Sequence, residues 1–78
     1  MREKKPYLIV TFYTTSAAMA AEQACQQTGL PGWIIPVPRE ITSDCGLGWR
    51  TAPENRAAVQ ALFEQLQLEV DGYHVCMM

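Results

Sequence analysis

Cys45 lies in the stretch Ile41-Thr42-Ser43-Asp44-Cys45-Gly46-Leu47-Gly48-Trp49-Arg50, with Arg39 a few residues upstream. A thiol reacts as its thiolate, and positive charge or backbone N–H groups nearby favour that anion. Arg39 and Arg50 fall within reach of one loop around the sulfur. Gly46 and Gly48 have no side chains to shield it, and their N–H groups can turn inward as an anion-binding nest. Thr42 and Ser43 add hydroxyl donors. A loop of this make-up could hold a thiolate, a persulfide or an incoming anion. Asp44 acts in the opposite sense, because an adjacent carboxylate raises a thiol pKa. A second reading stays open at this level: Cys45 as a buried structural thiol beside a turn, since unpaired cysteine is among the most buried residue types.

The other residues that could do chemistry are few. Cysteines occur at positions 25, 45 and 76, and no two of them form a CxxC pair. That is neither a disulfide framework nor a zinc spacing. Cys25 reads as helix packing. Cys76 stands two positions from His74, so the two share one face of a strand. A small metal or redox site would need Cys45, Cys76 and His74 to converge; without that, no metal and no cofactor is expected. Trp33 and Trp49 read as packing residues. There is no nucleophile elbow, P-loop or Rossmann glycine pattern. A complete stand-alone active site is therefore not expected, and a carrier fits better than an enzyme.

The chain has 78 residues and a formal net charge of −2. That length makes one domain, residues 1–78, with residues 1–5 as a terminal tail. A domain of this size buries only about 60% of its unfolded surface, so its site must be shallow or shared with a partner. No basic face suggests nucleic acid. No apolar run is long enough for a bilayer, and the start lacks a signal-peptide core. The expected compartment is the cytoplasm.

The elements that must position Cys45 follow from local patterns. "YLIVTFY", residues 7–13, is a buried strand by composition. Thr14, Thr15 or Ser16 can cap the helix that follows, and Gly29 stands where a glycine would end it. Ala17, Ala20, Ala21, Ala24 and Thr28 recur at helical spacing as its small-residue face. "WIIPVP", residues 33–38, is a second strand whose prolines put it at a sheet edge. "GLGWR" opens a third strand. "TAPE" is a capping-box pattern with Thr51 as N-cap and Glu54 three residues on. Ala58, Val59, Leu62, Phe63 and Leu66 give the next helix an apolar face. The final strand spans "LEVDGYHVCM", with a turn or bulge at Asp71-Gly72. The order strand, helix, strand, strand, helix, strand predicts an α+β, ferredoxin-like βαββαβ fold: a four-stranded antiparallel sheet with two helices on one face.

The segment from Tyr7 to Thr51 resembles the small bacterial selenium/sulfur carrier-like domains, and the likeness extends over roughly residues 6–70. Its specific part is PVPR-x-(I/L)-(S/T)-x-x-CG, here Pro36, Val37, Pro38, Arg39, Ile41, Thr42, Cys45 and Gly46. The resemblance implies that Cys45 accepts sulfur or selenium as a persulfide or selenopersulfide and passes it on. It implies donor and acceptor proteins as partners, with Arg39 and Arg50 steadying the anionic adduct. Cys76 would be a resolving thiol if the fold brings it to Cys45. The competing expectation is a non-catalytic ferredoxin-like interaction module, with a structural Cys45 and an edge strand free to pair, including as a homodimer.

Overall fold

The computed structural model describes residues 4–39, 41 and 46–77. The elements are β1 (Pro6–Phe12), α1 (Thr15–Thr28), β2 (Trp33–Pro36), β3 (Leu47–Thr51), a short 3₁₀ turn (Pro53–Asn55), α2 (Arg56–Gln65) and β4 (Val70–Met77). All three strand pairings are antiparallel, in the order β2-β3-β1-β4. This is the ferredoxin-like α+β fold, with β2 and β4 at the edges.

The local signals account for most of the boundaries. Thr14 caps α1: its hydroxyl accepts the Ala17 N–H at 3.1 Å. Gly29 ends that helix in the left-handed region at φ 79°, and the Leu30 N–H returns to the Cys25 carbonyl at 2.9 Å. Gly72 pairs with Thr11 but Val70 pairs with Phe12, so Asp71 is the extra residue of a bulge.

Three expectations need correction. The capping box at 51–54 does not form. Thr51 is the last residue of β3, and its hydroxyl donates to the Pro31 carbonyl at 2.6 Å while accepting from Asn55 Nδ2 at 2.9 Å. A hydroxyl held by a neighbouring segment cannot also cap a helix. The buried stripe of α1 is Ala18, Ala21 and Cys25, rotated from the predicted alanine face, on which Ala20 and Thr28 are exposed. In a run this rich in alanine, periodicity alone does not choose the stripe. On α2, Val59 and Phe63 are buried, whereas Ala58 and Leu66 are exposed.

The core lies between the helices and one face of the sheet. Leu8, Val10 and Phe12 of β1 and Trp49 of β3 meet Ala18, Ala21 and Cys25 of α1 and Val59 and Phe63 of α2. Phe63 sits edge-on to Phe12 and Trp49, with centroid separations of 5.9 and 6.2 Å. Strand alternation then puts Tyr7, Ile9, Thr11, Gly48, Arg50, Trp33, His74 and Cys76 on the opposite face.

Candidate functional site

The segment that carries the cysteine motif joins β2 to β3. Its neck is closed by the Val37 N–H donating to the Gly46 carbonyl at 3.0 Å, and the Ile41 N–H donates to the Pro38 carbonyl at 3.0 Å. Gly46 adopts φ +74°, a conformation that costs glycine little and other residues more. Arg39 is exposed and Ile41 half-buried. Cys45 and Thr42 lie outside the described residues, as do Ser43 and Asp44.

The remaining predicted site residues are spread over the sheet. Gly48 is buried inside β3, opposite Thr11 on one side and Ile35 on the other. A Cβ there would come within 2.9 Å of Ile9 Cγ2 and 3.4 Å of Val37 Cγ2. Close packing therefore accounts for this glycine without an anion nest. Arg50 is four residues past Gly46 on an extended strand, about 13 Å away at roughly 3.3 Å per residue. Its Cζ lies over the Tyr7 ring at 4.5 Å and the Trp33 ring at 4.3 Å.

Cys76 is buried opposite Tyr7, at the far end of the sheet from Gly46. In register, the two stand roughly 20 Å apart along the strands and two strands apart across them. A disulfide needs Cα atoms within about 7 Å. The fold therefore does not bring Cys76 to the neck of the loop, as a resolving thiol would require. Among the described residues, no three of His, Cys, Asp and Glu gather as a metal site.

One polar pair on this face was not read from the sequence. Thr11 is fully buried, and its hydroxyl donates to the Gly72 carbonyl at 3.3 Å and lies 3.4 Å from His74 Nε2. With that hydroxyl proton on the carbonyl, Nε2 is the donor. A Cβ at Gly72 would come within 2.9 Å of the same nitrogen, so the glycine makes room for the ring. Only the register of β1 on β4, with its bulge, brings these residues together. Trp33 also departs from expectation. It is 52% exposed and covers Arg50, whereas Trp49 is fully buried.

Cys25 is 1% exposed, and burial pushes its thiol up to about 11. At pH 8 about one molecule in a thousand would carry a thiolate there, so iodoacetamide should leave Cys25 unmodified until the protein unfolds. In the unfolded chain the thiol ionises near 9.0 but in the fold near 11, so its contribution is intact below pH 9 and is lost as pH rises towards 11. Urea unfolding should show about 1–2 kcal/mol of stability lost over that window beyond what Cys25→Ala loses. Equal slopes for the two proteins would remove Cys25 as the cause.

Among the described residues, no helix is long and apolar enough to cross a membrane. A family model described as "Putative Se/S carrier protein-like" matches residues 7–75. No curated protein and no solved structure matches the chain.

Proposed function

The chain belongs to the Se/S carrier protein-like family, and on that premise we propose that Cys45 carries a sulfane sulfur or selenium atom between two partner proteins. The Cys45 thiolate attacks the terminal sulfur of a donor persulfide. A new S–S bond forms on Cys45, the donor's S–S bond breaks, and the donor sulfur leaves as a thiolate. The acceptor's nucleophile then attacks the terminal sulfur, and Cys45 is released as the thiolate. The oxidation state is carried with the transferred atom, so no outside oxidant or reductant enters. Selenium follows the same course through a selenopersulfide.

The observation that supports this reading most is the neck of the loop. Val37 and Gly46 are bonded to each other, Gly46 takes a positive φ, and the cysteine of the family motif immediately precedes that glycine. Arg39, exposed and two residues past Val37, supplies a cation on the other arm of the loop. In this proposal Arg39, the Gly46 backbone and the Thr42 hydroxyl steady the anion. Arg50 is left out, because its guanidinium lies over two rings farther along β3.

The test is intact-mass spectrometry after incubation with a cysteine desulfurase and cysteine. The wild type should gain one sulfur atom, which dithiothreitol removes. Cys45→Ser should gain none, and Cys25→Ala should gain as much as the wild type. Arg39→Ala should slow the gain several-fold. An adduct that survives in Cys45→Ser would move the carrier site elsewhere. A wild type that never gains sulfur, with Cys45 inert to alkylation, would favour the interaction-module reading.

A further inference from the structure

Arg50 has an unmet chemical demand at the end of the sheet away from the cysteine loop. A guanidinium carries five N–H donors in a planar fork. Among the described residues, none of those of Arg50 has a hydrogen-bond acceptor or a carboxylate partner. Its Nε is buried and unpaired. The contacts it does make are with π faces, Tyr7 at 4.5 Å and Trp33 at 4.3 Å. Such contacts hold the cation in place but satisfy no N–H.

The same group borders a small pocket of about 180 Å³, lined by Tyr7, Pro31, Gly32, Trp33, Thr51 and Ala52 besides Arg50 itself. Of the other lining side chains, the Thr51 hydroxyl is already used on both sides by Pro31 and Asn55, while Tyr7 and Trp33 turn their ring faces to the guanidinium and carry a hydroxyl and an indole N–H at their edges. The pocket therefore offers largely apolar walls and one cation with unused donors. Its volume is that of about six liquid waters at roughly 30 Å³ each.

We propose that this pocket is a binding site for a small monocarboxylate with an apolar stem of about three carbons, its two oxygens taken by the Arg50 fork. A carboxylate fits because the fork presents parallel N–H donors to two coplanar oxygens, and a charge-assisted pair of that kind is roughly twice as strong as a neutral one. A dianion would meet one cation only. The Trp33 ring, 52% exposed, forms the outer wall and Tyr7 the inner one. This site is separate from Cys45 and does not depend on the carrier reading.

The measurement is a titration of ¹⁵N-labelled protein with sodium butyrate, at ionic strength held constant with chloride, following the Arg50 Nε–H and Trp33 indole N–H signals. Both should shift saturably with one dissociation constant. Butyramide, equal in shape but uncharged, should bind at least about tenfold more weakly. Arg50→Met keeps an apolar chain against the rings and removes the donors, so it should abolish the butyrate response. Cys45→Ser should leave it unchanged. Equal responses to butyrate and butyramide, no saturable shift in the wild type, or butyrate binding retained in Arg50→Met would each overturn the site. The butyrate–butyramide comparison uses the unaltered protein, so the test survives a variant that fails to fold.

Discussion

Phe63→Ala is expected to cost about 3–5 kcal/mol, the range for removing a fully buried aromatic ring. Phe63 is 1% exposed and is the ring through which α2 reaches the sheet, edge-on to Phe12 of β1 and Trp49 of β3. The substitution removes apolar transfer energy and two edge-to-face contacts, and it leaves a hollow between layers that cannot close without moving the helix. A chain of this length holds only about 4–12 kcal/mol of stability in total. For a domain of this size each kcal/mol is worth roughly 4–8 °C of melting temperature, so Tm should fall by at least about 12 °C. Glu64→Ala, at the next and exposed position, should change stability by less than about 0.5 kcal/mol. Thermal and urea unfolding of the pair would check this. A Phe63→Ala protein within 1 kcal/mol of the wild type, by the same standard, would mean that α2 is not docked through this ring.

The second large effect is expected at Gly32. Its φ is +155°, and a Cβ built there would overlap Trp49 Cζ2 and lie 2.5 Å from the Arg50 carbonyl oxygen and 2.7 Å from Trp49 Cε2. Neither neighbour can yield cheaply. Trp49 is fully buried in the core, and the Arg50 carbonyl belongs to a strand with partners on both sides. Gly32→Ala should therefore cost about 2–4 kcal/mol through overpacking and backbone strain together. Gly29→Ala makes the comparison clean. That position also has positive φ, at 79°, but a Cβ there meets nothing within 4 Å, so only the smaller conformational cost of about 1 kcal/mol applies. Denaturant midpoints of the two variants would separate crowding from strain. Equal losses would show that Gly32 is needed for its backbone angle alone.

Much of the fold was legible because its signals are local. The apolar, β-branched run of β1, the threonine before α1, the left-handed glycine after it and the prolines of β2 each act within a few residues of themselves. The Asp-Gly pair marked the bulge for the same reason. Thr51 shows where such signals fail. The residue before "APE" has the right chemistry for a cap, but Pro31, twenty positions upstream, takes its hydroxyl. The candidate site divides in the same way. The Pro-Val-Pro-Arg and Cys-Gly motif was visible as a string, whereas the fates of Gly48, Arg50 and Cys76 were not. Proximity along the chain suggested that Arg50 flanks Cys45, but an extended strand carries four residues about 13 Å. Trp33 and Trp49 were alike as aromatic residues; one is half exposed over a cation and the other is fully buried.

The sequence by itself determined the kinds of element, their order and the two caps of the first helix, and it named the cysteine on which the carrier reading rests. Tertiary structure decided which side of each strand meets the helices, which residues stand opposite one another, and hence that Arg50 belongs with Tyr7 and Trp33 and that His74 belongs with Thr11. The physical reason is the range of the interactions. Capping and backbone preference are settled among neighbours in the chain. Strand register is settled by packing against residues tens of positions away, and a slip of one residue turns every side chain to the other face.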